Sequence, residues 1–343
     1  MSDTLVSAPG EVLPKQIAGF WRRTFALIID GLVLGVPAYF LAHLAFDQLA
    51  ALGQEGRLIG LAVMLLYFGI GDSSIARGQC IGKRLLAVRV VGASGEAISF
   101  PRAFLRTLVF CIPLSLNGLY FPPQAFADER LMWFGGALLF LGLFGFGIAS
   151  LYLFIFNTGT RQALHDLFLD TYVVREENAA AITSRVWAGH IVVVLILFAA
   201  CLASPAYVHV QMFAGSSPLQ SEPYAGLGKL QQQLAAAHPD FDSVEVQTSW
   251  MSLYSTQVQK TTTYLNVNVR LKRRSANYGA LIRDIARQVL EASPDIMGQQ
   301  ELSINVFIGV DLGVLRLSDG QKESHTVEEW RRLLTAAKPA TSV

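Results

Sequence analysis

Asp30 is the residue from which a chemical reading of this chain starts, because it is the single formal charge in the apolar run 24–46. An ionised carboxylate near the middle of a bilayer-spanning helix costs roughly 2.5–3.5 kcal/mol on insertion scales, so it needs a partner or a task. Its own helix supplies neither: the positions three and four residues away are Ala26, Leu27, Val33 and Leu34. Arg23 lies two turns earlier, about 10.5 Å along the axis, and its long side chain is drawn toward the headgroups. Asp30 must therefore meet another segment or water. Two uses stay open, a buried brace held by Arg or His from the adjoining loops, or a site that binds a cation or proton.

A second set of groups surrounds the loops next to the apolar runs. Asp72 closes the run Leu58–Ala76, Arg102 and Arg106 stand one helical turn apart, and His165 and Asp166 sit in RQALHDLFLDTYVV. Adjacent residues point in different directions, so His165 and Asp166 are expected to cap and brace their loop rather than act as a catalytic dyad. One of the two arginines is expected to reach Asp30 or Asp166, or else lipid headgroups. His43 and His190, in or near apolar runs, are expected to make interhelical hydrogen bonds. The stretch RGQCIGKR superficially resembles a phosphate loop, but it is one residue short and Arg84 stands where Ser or Thr is required. In the expected domain over 226–343 there is no cysteine, only His238 and His325 as histidines, and no nucleophile motif. The basic run Lys272–Arg274 is read as the solvated end of a strand. No enzyme, metal site or cofactor is expected.

These groups need elements to hold them. The 343 residues are 52% hydrophobic and only 15% charged, with a formal net charge of +1; soluble domains carry about 25% charged residues. That balance points to lipid as solvent and against nucleic acid as partner. Charge-poor runs at 24–46, 58–76, 107–127, 131–160 and 186–203 predict five transmembrane helices, each near the ~20 residues a bilayer requires. With the N-terminus inside, the inner segments hold twelve Lys and Arg and the outer loops only Arg57 and Arg130, which predicts a cytoplasmic N-terminus in a multi-pass protein of the inner (plasma) membrane. Gly31 and Gly35, with Gly135, Gly142 and Ala149, predict that helices one and four pack through small residues.

An odd number of spans carries the rest of the chain to the other side. The expected layout is an all-α membrane bundle with four helices over residues 1–185, a fifth over 186–204 ending at Ser204 and Pro205, a linker over 205–225, and a small α+β extracytoplasmic domain over 226–343. Within that domain, Val244, Val246, Thr263–Leu271 and Ile304–Ile308 alternate as half-buried strands do, and Gly226–Ala237, the stretch around Leu281–Leu290 and Val327–Ala337 have helical spacing. The order suggests an antiparallel sheet with helices on one face. In the membrane part, LLAVRVV and AISF are expected to pair as a hairpin through GASGE.

GFWRRTFALIIDGL, RGQCIGKRLLAVRVVGASGEAISFPRAFLR and RQALHDLFLDTYVV, in that order over about residues 16–174, together resemble the RDD family of bacterial membrane proteins, named for one Arg and two Asp. The resemblance places the family Arg on Arg23, the first Asp on Asp30 and the second on Asp166. It departs at Cys80, where Thr is usual, and at Asp170, where Gly is usual before Thr171. It implies an integral membrane protein, with cation or proton-coupled transport through an Asp/Arg charge site as the expected activity. The alternative is a membrane anchor whose exported domain senses or binds a protein partner or envelope ligand. Five helices are few for a transporter, so a homo-oligomer or a partner membrane subunit is expected.

Overall fold

A computed structural model describes residues 17–119, 129–176, 182, 184–213, 222–254, 259–292 and 301–336. The third apolar run extends past Leu119, beyond the described residues; of the expected linker over 205–225, residues 214–221 also lie outside them, while 205–213 and 222–225 are helical.

Helix α1 (Phe20–Leu44) has 25 residues, about 37 Å at 1.5 Å per residue, and exposes Leu27, Ile28, Leu32, Val36, Phe40 and Leu41. Such an apolar surface is stable only against lipid or protein. A short α2 (Phe46–Ala50) follows, then α3 (Gly56–Gly71) and α4 (Ile81–Leu85). Next come strand β1 (Val88–Gly92) and α5 (Phe100–Leu116). Helices α6 (Glu129–Phe140) and α7 (Phe146–Phe156) are one rod joined by a π-turn at Leu141–Gly145. The membrane part closes with α8 (Leu164–Phe168), β2 (Thr171–Arg175) and α9 (Ala188–Phe213).

Among the described residues, three helical stretches are long and apolar enough to cross a membrane: Phe20–Leu44, Trp133–Phe156 and Ala188–Tyr207. The expected second and third spans are helices of 16 and 17 residues, about 24–26 Å long against a hydrocarbon thickness of ~30 Å. The second run is cut short because α3 ends at Asp72, whose carboxylate accepts from Cys80, Lys83 and Arg106, while Ser73 caps the turn at Ile75.

Three local expectations are corrected. First, β1 does not turn back on AISF; it pairs antiparallel with β2, Val90 opposite Val173. The valines of β1 need a second apolar strand, and TYVV supplies it where AISF begins a helix. Second, Ser204 and Pro205 do not end α9, which runs on to Phe213 with Pro205 inside it. Third, α1 and the fourth apolar run do not meet through their glycines: a Cβ on Gly31, Gly35 or Gly135 would touch nothing within 4 Å, whereas Gly142 lies against Ile112 and Leu116 of α5.

The C-terminal part is a four-stranded sheet, β3 (Phe241–Tyr254), β4 (Gln259–Leu271), β5 (Glu301–Asp311) and β6 (Arg316–Thr326), in that spatial order. Helices α10 (Glu222–Ala237), α11 (Tyr278–Ala292) and α12 (Val327–Ala336) pack on one face. The sheet is mixed rather than antiparallel, because β4 and β5 run parallel. A helix, α11, lies between them in sequence, and a helical crossover returns the chain in the same direction.

The two parts are locked together. Ala42, Phe46 and Ala50, from the end of α1 and from α2, belong to the apolar core of the sheet domain. Arg57 at the start of α3 pairs with Asp311 at 2.9 Å and also donates to the carbonyls of Ser115 and Asn117 at the end of α5. A Cβ on Gly60 would fall 2.0 Å from the Leu312 carbonyl oxygen, so only glycine allows the loop after β5 to lie on α3. At the far end of α1, Ala18 donates from its backbone to Val173 of β2. The small β1–β2 sheet and the large sheet thus sit at opposite ends of α1.

Candidate functional site

The charged residues near the β1–β2 end form a chain of ion pairs contributed by five elements. Arg106, buried on α5, spans two carboxylates: its Nη1 lies 2.5 Å from Asp72 Oδ2, while Nε and Nη2 lie 2.9 and 2.7 Å from Asp166 Oδ1. Arg23 on α1 reaches Asp166 Oδ2 at 2.5 Å and caps the Arg161 carbonyl, with its guanidinium over the Phe154 ring. Lys83 on α4 closes the other end on Asp72 Oδ1, which also accepts from the Cys80 thiol. Planar guanidinium explains why Arg occupies the central place: only a fork of donors can serve two carboxylates at once.

Asp166 is fully engaged, its oxygens also accepting from the Ala163 backbone and the Thr171 hydroxyl. Burial alone would lift its pKa, but Arg106 and Arg23 overrule that and hold it well below the usual carboxylate range. His165 lies 3.7 Å from the same carboxylate through Nε2 and stacks edge-on against Phe110. Burial drives its pKa from 6.5 down to about 3, with Arg106, Arg23 and Lys83 adding to the effect against the pull of Asp166. The ring is neutral at neutral pH.

Asp30 is held differently. Its Oδ1 accepts from the Tyr67 hydroxyl at 2.6 Å and from the Gly82 backbone at 2.7 Å, while Oδ2, buried, has no hydrogen-bond partner. Gly82 is required here, because a Cβ would meet the Ala26 carbonyl oxygen at 2.2 Å and the Asp30 carboxyl carbon at 3.0 Å. Asp30 lines a cavity of about 80 Å³ together with Arg23, Lys83, Arg106, Phe110 and His165. The partner that the sequence requires does come from other segments, but it is a phenol and an amide rather than a guanidinium or imidazole.

The remaining sequence candidates separate. Asp72 and Arg106 belong to the chain; Arg102 stays at its margin, donating to the Leu169 and Asp170 carbonyls at 2.7 Å. Asp170 takes φ +47°, the left-handed conformation that Gly accepts freely and Asp tolerates. His190 meets the Tyr152 hydroxyl at 3.0 Å and ties α9 to α7, whereas His43 lies edge-on to Tyr39. Sequence reasoning missed Tyr67, Gly82 and Lys83. Tyr67 was the visible signal, a lone hydroxyl in LIGLAVMLLYFGIG; Gly82 and Lys83 were set aside with the rejected phosphate-loop reading.

With this geometry in place the comparisons are decisive for the membrane part: residues 17–170 match the model of the RDD family. Residues 17–170 are an RDD domain. Its Arg23, Asp30 and Asp166 all stand in or beside the buried network, although Arg23 pairs with Asp166 and not with Asp30. Uncharacterized protein YckC of Bacillus subtilis (strain 168) is 26% identical over 156 residues, covering 46% of this chain and 83% of that protein. Uncharacterized protein YxaI of the same organism is 26% identical over 137 residues, 34% of this chain and 90% of its own length. No solved structure matches the chain. The sheet domain lies beyond the RDD match.

At the other end of the helices, the face of the sheet not covered by α10–α12 borders a cleft of about 390 Å³ closed by Gly118 after α5. Glu245, Asn268, Arg270, Phe307 and Arg316 line it. Arg270 donates to the Gly309 carbonyl at 2.7 Å and lies 3.4 Å from Asp242.

Proposed function

We propose that the RDD domain moves protons, with Asp30 as the group that gains and loses them and the Arg23–Asp166–Arg106–Asp72–Lys83 chain as the frame that fixes its surroundings. One observation carries the reading: of the three buried acids of the RDD domain, Asp72 and Asp166 have both oxygens committed, and Asp30 alone keeps one oxygen open beside a cavity. Arg23, Lys83 and Arg106 line the same cavity, and their positive charge disfavours a metal cation there by repulsion. In this reading the N-terminus is cytoplasmic and the sheet domain extracytoplasmic. The support is the distribution of Lys and Arg, with Arg57 alone of the two outer arginines buried at the sheet-domain end. No bond-making chemistry is assigned to either part.

The test is proton flux into liposomes holding the full chain. Asp30→Asn preserves the acceptor geometry toward Tyr67 and Gly82 yet cannot release a proton, and it is expected to reduce flux at least tenfold while the protein still inserts. Flux equal to wild type in a folded Asp30→Asn protein overturns the proposal.

A second reading, that the sheet domain senses a partner or envelope ligand, is favoured by its firm seat on α1, α2 and α3. It predicts that substitutions in the cleft, such as Asn268→Ala, alter cellular output without changing proton flux in liposomes.

A further inference from the structure

Two buried polar atoms of residues that line the Asp30 cavity have no hydrogen-bond partner: Asp30 Oδ2 from α1 and His165 Nδ1 from α8. Both residues line the same space of about 80 Å³, well above the ~10–15 Å³ that one ordered water requires. Each orphan atom destabilises the fold if it is left dry. A carboxylate and an imidazole lining one cavity have a chemical use that neither has alone. We propose that His165 and water in this cavity form a relay that delivers protons to Asp30. This inference rests on the reading of Asp30 as the proton-carrying group and names the route by which that group is served.

The geometry gives the relay a direction. The Asp30 side chain is completely buried, whereas His165 keeps 12% of its side chain exposed, so the histidine is the link between water at the β1–β2 end and the acid. Its Nδ1 is buried without a partner, and its Nε2 stands 3.7 Å from Asp166, beyond hydrogen-bond reach, so in the tautomer with hydrogen on Nδ1 the lone pair of Nε2 is free to take a proton. Water outside gives a proton to Nε2, making imidazolium. Nδ1 gives its own proton to cavity water, that water protonates Asp30 Oδ2, and the ring is left neutral in its other tautomer. Only N–H and O–H bonds change.

The charges that act on His165 are Arg23 on α1, Lys83 on α4, Arg106 on α5 and Asp166 on its own helix, while α7, packed against α8, carries none. Burial and the three cations keep the ring neutral at rest, so it conducts a proton rather than storing it.

The experiment uses the full chain in liposomes with a pH-sensitive dye inside, and infrared spectroscopy of the Asp30 carboxyl. His165→Gln keeps a polar side chain but cannot pass a proton; it is expected to cut flux at least tenfold while the Asp30 carboxyl band titrates at the wild-type midpoint. Wild-type flux in His165→Gln, with flux abolished in Asp30→Asn, overturns the relay and leaves Asp30 standing. Wild-type flux in Asp30→Asn, or no flux in the wild-type protein, overturns both. A shifted Asp30 midpoint in His165→Gln assigns the histidine a structural role and overturns the relay. If His165→Gln does not fold, solid-state NMR of the wild-type protein with 15N-histidine decides: magnetisation passing from water to Nδ1 supports the relay, and a dry Nδ1 overturns it.

Discussion

The RDD domain and the sheet domain are held together by opposite means. Of the 14 polar or charged residues buried among the described residues, 12 lie between Asp30 and Thr171, and only Ser303 and Asp311 lie in the sheet domain. The sheet domain has instead one continuous apolar core, running from Leu227 to Trp330, while the RDD part has four small apolar clusters. The contrast follows from solvent. In water, burying apolar surface drives folding; in lipid a leucine gains little from leaving the hydrocarbon, and close packing and polar pairing organise the helices. A network of ion pairs is accordingly a specificity device in one half, and an unneeded cost in the other.

The sharpest way to break this comparison is Arg106→Met. It leaves Asp72 and Asp166 without their shared cation, a loss on the order of 3–5 kcal/mol for a buried pair stripped of one partner, and is expected to abolish recovery of monodisperse protein in detergent. Arg106→Lys recovers little, because an ammonium cannot span both acids.

In the sheet domain the comparable loss comes from apolar truncation. Leu265→Ala, at a fully buried position, is expected to cost roughly 2–5 kcal/mol, read as a lower unfolding temperature of the β-structure by circular dichroism, with the helical signal of the RDD part retained.

Acid separates the two halves next. Between its folded pKa of about 3 and its ordinary 6.5, His165 binds more proton in the unfolded chain, so stability falls as pH is lowered through that window. From pH 6.5 to 5 the loss is about 2 kcal/mol, and His165→Gln is expected to flatten it in denaturation curves taken across that range. Asp166, held below the usual carboxylate range, contributes stability that persists at neutral pH and declines only below about pH 4.

The smallest expected effect tests the joint itself. Gly60→Ala drives a methyl against the Leu312 carbonyl, a strain on the order of 1–3 kcal/mol. Cleavage by an added protease near residue 312 is expected to quicken with both folds intact; unchanged cleavage refutes the contact.

Much of the membrane half was legible because lipid writes a plain signature: three of the five apolar runs stand as helices of crossing length, and Arg106 does reach Asp166. What was hidden depends on distance along the chain. β1 pairs with a strand some eighty residues later, and local alternation in AISF offered a nearer but false partner. Asp30 was readable as an acid needing outside company, yet its donors, a phenol and a backbone amide in a short helix, carry no charge pattern to reveal them. In the sheet domain the strand β6, with its exposed, charged run RLSDGQKESHT, lacks the alternation that made the other strands visible, and it is fixed by its hydrogen bonds to β5.

The placement of α2 has a consequence for how the protein is made. Phe46 and Ala50 complete an apolar core whose other members begin at Leu227, and Arg57 waits for Asp311, 254 positions further on. A growing chain therefore exposes this segment at the membrane surface through most of its synthesis, and assembly of the first helices can finish only when the last strands emerge. Shortened forms that stop after α9 do not isolate the RDD domain: they leave a greasy patch unclaimed and an arginine unpaired, so their failure would speak of incomplete assembly rather than of a missing activity.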